Sequence, residues 1–351
     1  MTARFAISIP IGAWHPLLGD CLASLTAQGD RVEIAALDAS GDDRVASVLD
    51  QFSDRIAYRR NGPDDGQSDA IIEGWRNTRA PYLGWLNADD ALYPGALASV
   101  AEKLESEPAL DLVYGDSTII DDTGAYRGYH WAVQPPGEEI LSGCTISQPS
   151  CFFSRDAVNQ VGGLNADLHF TMDWDLWVRL WRAGARFGFI EQTLSRVLWS
   201  EEAKTGGFNA QRRAELERII GAGENPVVKL KSRIGFALHH VLEYRAPAPV
   251  ARTFRKRNAA RARIINGFDK AGGLRGPALL PMVCWSNDKP SSIELKFAPN
   301  GAGGVTVQGR RTTYSDGFCR APLTHPPTLG ETVDVAIDPD RATDFISARW
   351  G

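Results

Sequence analysis

The chain has 351 residues, a formal net charge of −5 and 43% hydrophobic residues, enough for a large core and about two domains. That mildly acidic balance argues against a nucleic-acid binder, and no run of roughly eighteen apolar residues is present to span a bilayer. Met1-Thr2-Ala3-Arg4-Phe5 leads directly into a strand without a signal-peptide pattern, which predicts a cytoplasmic protein. Five cysteines, an odd number without CxxC spacing, indicate neither a zinc site nor a disulfide framework, and Cys144 and Cys151 read as small buried hydrophobes.

In chain order, the first informative stretch runs from Asn61 to Arg76. Asn61-Gly62-Pro63-Asp64-Asp65-Gly66 reads as a turn that opens a helix. Ser68 or Asp69 can cap its free amides, and Ala70, Ile71 and Trp75 are spaced to pack on a sheet. Tyr82-Leu83-Gly84-Trp85-Leu86 then reads as a buried strand that ends in Asn87-Ala88-Asp89-Asp90. Adjacent carboxylates repel unless a cation neutralises them, so this strand end suits a divalent metal carrying a phosphate. It equally suits a turn capping the helix that begins near Pro94-Gly95.

Further on, Leu176, Trp177 and Leu180 recur at helical spacing, with Asp173 and Asp175 in the first turn, where the helix dipole favours anions. An ionised carboxylate there can take a proton from an acceptor hydroxyl, or it can merely cap the helix with the tryptophans as core. Residues 208–222 read as a charged amphipathic helix. Residues 226–275 carry eight arginines, four lysines and two acids, a local charge of +10 that leaves about −15 on the remainder. Apolar Ile234, Phe236, Leu238 and Val241 among those cations suit either an anionic membrane surface or a helical hairpin packed on the protein. The final seventy-five residues hold strand-like runs at 293–297, 305–307 and 332–337, which predict a small β-rich appendage. Trp285, Tyr314 and Phe318 there could stack on sugars or fill a core.

Taken together, the stretches resemble the inverting family-2 glycosyltransferases of the GT-A fold. Phe5-Ala6-Ile7-Ser8-Ile9-Pro10 looks like that family's first strand and loop, and Val32 to Ser40 like its second strand, ending on acidic Asp38. Asp64-Asp65-Gly66-Gln67-Ser68-Asp69-Ala70 with Gly74 resembles the signature between base site and metal site. Leu86-Asn87-Ala88-Asp89-Asp90 is similar to its variant of the DxD motif. Gln148-Pro149-Ser150-Cys151-Phe152-Phe153 and Met172 to Leu180 resemble its acceptor-side block. The ordered set covers roughly residues 4–205 and is far more specific than any one motif.

The resemblance implies an α/β, Rossmann-like GT-A domain over 1–207, while the charge and strand patterns beyond it place a basic amphipathic helical segment over 208–275 and a small β-rich appendage over 276–351. It implies inverting transfer of one sugar from a nucleotide-diphosphate donor, UDP-type, to a hydroxyl of a saccharide or lipid-linked saccharide, with manganese or magnesium as the cation. The setting it implies is surface polysaccharide or glycolipid assembly. Pro10, Asp38, Asp65, Asp69, Asn87 and Lys204 would line the nucleotide pocket, and Asp89 and Asp90 would hold the metal. Asp173 would be the catalytic base, with Gln148, Trp174, Asp175 and Trp177 on the acceptor side. Two departures stand out: Met172 replaces the glutamate many members carry before the base, and Ser200 stands about where a histidine is common. A non-catalytic binder of nucleotide sugars or glycans on the same fold is the alternative.

Overall fold

The computed structural model describes residues 4–130, 137–141, 143–199, 210–221, 263–270, 272–285 and 288–351, together with isolated positions between 226 and 253. Internal contacts divide the chain into two compact units. The first contains residues 1–116, 132–195 and 201–238, and the second contains 117–131, 196–200 and 239–351.

In the first unit strands and helices alternate as β1 (Phe5–Ile11), α1 (Leu18–Thr26), β2 (Val32–Asp38), α2 (Asp43–Gln51), β3 (Ile56–Asn61), α3 (Gln67–Arg76) and β4 (Tyr82–Trp85). The short β5 (Ala91–Leu92), α4 (Ala96–Ser106) and β6 (Leu112–Ile120) follow, and the end of β6 and β7 (Tyr126–His130) belong to the second unit. The chain returns through β8 (Cys151–Ser154), α5 (Arg155–Gln160), α6 (Met172–Arg182), β9 (Phe187–Leu198), whose last three residues belong to the second unit, and α7 (Ala210–Gly221). Strand β1 pairs in parallel with both β2 and β4, and β2 with β3, while β8 runs antiparallel to β4 and to the start of β6. The strand order therefore reverses between β1 and β4, and in open α/β sheets such a switch point opens a crevice at the carboxyl ends of the strands.

The sequence of β1, Phe-Ala-Ile-Ser-Ile-Pro-Ile, is apolar nearly throughout, as a strand covered on both faces must be. On one face lie Leu22 of α1, Leu49 of α2 and Val100 of α4. On the other lie Trp75 of α3, Trp177 of α6 and Ile219 of α7. Helix α3 sits so close to the sheet that a Cβ on Gly74 would come within 2.3 Å of Ser8 Oγ and 3.0 Å of Ala35 Cβ. Ser8 Oγ uses that proximity to donate to Ile71 O (3.0 Å), and Trp75 Nε1 donates to Gly84 O (2.8 Å). The middle and C-terminal half of α3 are thereby fixed on β1 and β4.

From residue 273 onward the second unit is built of strands: β10 (Gly273–Leu274), β11 (Ala278–Val283), β12 (Ser292–Phe297), β13 (Gly303–Val307), β14 (Arg310–Tyr314), β15 (Phe318–Pro322), β16 (Thr332–Pro339) and β17 (Thr343–Trp350). Antiparallel pairing gives the orders β15-β12-β17-β7 and β11-β16-β13-β14. In β16, Val333, Val335 and Ile337 alternate with exposed residues, the period-2 pattern of a half-buried strand. Tyr314 stacks on Phe297 with ring centroids 4.3 Å apart, and it and Trp285 are buried. These two aromatics are core, leaving only Phe318 exposed of the three that could have stacked on sugars.

No helix among the described residues is long and apolar enough to cross a membrane. Ser200, Lys204 and most of the basic segment after 226 lie outside the described residues. Within that segment Val227, Leu230, Ile234, Leu238 and Val241 carry exposed side chains, three or four residues apart. Of the two cysteines read as buried hydrophobes, Cys151 is buried and Cys144 is exposed.

Candidate active site

The residues expected on the donor side lie at and just beyond the carboxyl ends of β1, β2 and β4. Pro10 lies half-buried near the end of β1, paired in register with Leu37. Asp38 closes β2 with its carboxylate buried, and Oδ1 accepts from Ser40 N (2.9 Å) and Ser40 Oγ (2.6 Å), which fixes its orientation. Arg60 of β3 pairs with Asp64 (2.8 Å) and Glu73 (3.1 Å), pinning the following turn to α3. Burial opposes the guanidinium charge, but the Asp64 hydrogen bond and the Glu73 and Asp64 charges outweigh it and raise the Arg60 pKa.

Gly66 begins α3 with φ of 123°, a region open to glycine, and no side chain caps the helix. The expected capping by Ser68 or Asp69 is therefore absent. Ser68 is instead drawn to a distant loop, and Asp69 stays half-buried in the first turn, while Asp65 is exposed at the turn before it.

Past β4 the chain turns through Asn87-Ala88-Asp89-Asp90, closed by Asp90 N donating to Asn87 O (3.1 Å). Asn87 Nδ2 donates to Asp90 Oδ2 (3.1 Å), and Asn87 Oδ1 accepts from Gln67 Nε2 (2.8 Å), so the amide is held at both ends. Asp90 is only 2% exposed and faces this network, while Asp89 is half-buried. Among the described residues no three His, Cys, Asp or Glu side chains converge as a complete cage. Magnesium-like cations are often held by one or two carboxylates, with water and substrate phosphate supplying the rest, and Asp89 beside the Asn87–Asp90 turn fits that donor set.

Helix α6 carries Asp173 in its first turn, where Oδ1 accepts from Trp174 N (2.7 Å). The charge of Asp173 is felt at β8: burial raises the Cys151 thiol pKa, and the Asp173 carboxylate adds to the shift. Gln148 is half-buried and donates to Trp85 O (2.7 Å), joining the acceptor block to the end of β4. Asp175 pairs with Arg179 (2.7 Å), whose Nη1 donates to Val161 O (2.6 Å) and Gly163 O (2.8 Å), so it buttresses the loop before the helix. Trp177 is fully buried and Trp174 is 4% exposed, its indole N–H donating to Ile140 O. Neither tryptophan offers a ring face to an acceptor; their place is the core that seats α6.

Two consecutive residues at the start of α3 join the halves. Gln67 reaches Asn87, while Ser68 Oγ contacts Leu168 O (3.1 Å) and Met172 Sδ (2.8 Å), next to Asp173. With neighbouring Cα atoms only about 3.8 Å apart, α3 ties the acidic turn and the start of the Asp173 helix to adjacent positions of one helix. A contact that sequence reasoning missed lies behind this junction. Glu215 of α7, 4% exposed, accepts hydrogen bonds from His169 N, Phe170 N, Thr171 N and Thr171 Oγ1 at 2.8–3.2 Å. Its one sequence signal is its position beside Leu216 and Ile219 on the buried stripe of a charged helix.

Residues 13–160 match Glycosyl transferase family 2. The chain is 28% identical over 243 residues to the O-antigen biosynthesis protein RfbC of Myxococcus xanthus, covering 68% of this chain and 18% of that protein. It is 24% identical over 182 residues to chondroitin synthase of Escherichia coli, covering 50% and 26% respectively. The chain thus spans a minority of the length of these curated relatives. Among solved structures, S. aureus TarS 1–349 in complex with UDP-GlcNAc aligns at TM-score 0.51 and 11% identity over 74% of this chain and 82% of that one. The longer S. aureus TarS structure aligns at TM-score 0.51 and 11% identity, over 95% of this chain and 72% of that one. The fold is the GT-A glycosyltransferase fold with a small C-terminal β sheet.

Proposed function

We propose that the protein is an inverting glycosyltransferase that moves one sugar from a nucleotide-diphosphate donor, UDP-type, to a hydroxyl of a saccharide or lipid-linked saccharide, in surface polysaccharide or glycolipid assembly. The observation that supports this reading is the pair of side-chain contacts from Gln67 and Ser68, which tie the Asn87–Asp90 turn and the start of the Asp173 helix to the same end of α3, beside the sheet's switch point. A family-2 match over 13–160 and a fold shared with a protein solved with UDP-GlcNAc support the donor class.

In this reading Asp38, already oriented by Ser40, faces the base, and Pro10, Asp65, Asp69 and Asn87 border the nucleotide. Lys204 is the further contact proposed for the diphosphate. Asp89 with Asp90 would hold manganese or magnesium, which supplies charge stabilisation for the departing diphosphate. Asp173 accepts the proton of the acceptor hydroxyl as its oxygen attacks the anomeric carbon opposite the leaving group. Gln148 and the Asp175–Arg179 pair keep the acceptor side in register with β4. The basic stretch over 226–275 would approach an anionic membrane surface, since each cation near such lipid contributes about 1 kcal/mol.

A thermal-shift screen of UDP, GDP, CDP and ADP with and without manganese tests the donor half, because a ligand of the folded state raises its apparent stability. UDP should give the largest rise, greater with manganese than without it. No rise with any nucleoside diphosphate under either condition would remove the donor site from this cleft.

A further inference from the structure

We propose that Glu215 is a positioning residue for Asp173: planted by α7, its carboxylate fixes the backbone of 169–171 so that the first turn of α6 meets the cleft in register. This rests on the proposed role of Asp173 as base. Glu215 Oε1 accepts from His169 N (2.9 Å), and Oε2 accepts from Phe170 N (2.8 Å), Thr171 N (3.2 Å) and Thr171 Oγ1 (3.1 Å). Three successive amides turned onto one buried carboxylate form an anion-binding concavity, and each such charge-assisted bond is stronger than a neutral one.

The held segment is the one that touches the donor side. Leu168 O and Met172 Sδ both meet Ser68 Oγ, and a Cβ on Gly66 would stand 3.6 Å from His169 Cε1. The segment is thus gripped by Glu215 through its amides and by Ser68 through Leu168 O and Met172. Asp173 lies two residues beyond the last amide that Glu215 holds. Such a carboxylate contributes no chemistry of its own; it determines where the base stands. The cost of losing it is one of misplacement, and an error of about 1 Å in a reacting group can cost on the order of 10²-fold in rate.

The test uses the full chain as wild type, Glu215→Gln, Asp173→Asn and the double variant, with exposed Glu217→Gln of the same helix as control. The readout is nucleoside diphosphate release from UDP-GlcNAc, UDP-glucose, UDP-galactose and GDP-mannose, with water and with octyl glycosides as acceptors. Glu215→Gln keeps the size of the side chain but brings an NH2 group against backbone donors, so turnover should fall about 10–100-fold. UDP affinity should stay within about twofold and the control should match wild type. Added to Asp173→Asn, the change should cause no further loss, because a residue that acts only by placing the base has nothing left to place. Hydrogen exchange at 169–171 should quicken in Glu215→Gln while the strands keep their protection.

Wild-type turnover in Glu215→Gln, or losses that multiply in the double variant, would overturn this inference and leave the proposed function standing. Full turnover in Asp173→Asn, or no release by wild type from any of the four donors, would overturn the proposed function and this inference with it.

Discussion

Replacing Gly74 with alanine sets helix propensity against packing. Alanine is the better helix former by about 1 kcal/mol, so on local grounds α3 should gain. The added Cβ, however, would lie 2.3 Å from Ser8 Oγ and 3.0 Å from both Ala35 Cβ and Leu37 Cδ2. Ala35 Cβ is fixed to the backbone of the interior strand β2, Leu37 is fully buried with little room to turn, and Ser8 can turn away only by giving up its buried hydrogen bond to Ile71 O. Overpacking of this kind costs about 1–3 kcal/mol and the lost hydrogen bond about 1 kcal/mol more. After the propensity gain is subtracted, a destabilisation of about 2 kcal/mol remains, or roughly 4–8 °C in Tm for a unit of this size. Because α3 carries Gln67 and Ser68, its displacement should also weaken UDP binding. Urea and thermal unfolding followed by tryptophan fluorescence are the assays. A Gly74→Ala protein as stable as wild type, or more so, would show that α3 is not pressed on β1 and β2 as described.

Three further outcomes are expected. Asp89→Ala should weaken UDP binding in manganese far more than in chelator, measured by calorimetry, and equal losses in both would speak against a cation at the turn. Trp177→Ala should cost about 3–5 kcal/mol of unfolding free energy, as a fully buried aromatic does, and a stable protein with only acceptor KM altered would return that residue to the pocket wall. Asp175→Asn should loosen the Arg179 clamp on Val161 and Gly163, reducing stability by about 1 kcal/mol. Unchanged proteolysis of the 161–171 loop in that variant would count against the clamp.

Where one element decides its own fate, the sequence was legible. The apolar run of β4, the periodic face of α3 and the stripe of α6 are visible from spacing alone, and the acidic Asn87–Asp90 run is found just past the end of β4 as its sequence suggests. What could not be read depends on partners far away in the chain. Ser68 looks like a cap because local chemistry favours it, yet a loop a hundred residues later takes its hydroxyl. Trp174 and Trp177 beside an acidic pair can be read as acceptor-side residues or as core, and only the folded chain shows both packed in the core. Glu215 is one acid among several in a charged helix, and only the folded chain shows three amides turned toward it. In the β unit the strands with period-2 alternation were evident. By contrast β11 contains Pro281, tolerable because β11 is the edge of its sheet.

The most direct test of the whole account is Asp173→Asn, assayed for sugar transfer and, by calorimetry, for binding of UDP with manganese. Loss of transfer by about 10²–10⁴-fold with UDP affinity unchanged is the predicted result, since a base for the acceptor hydroxyl has no part in holding the nucleotide. Turnover equal to wild type would contradict the assignment of that carboxylate.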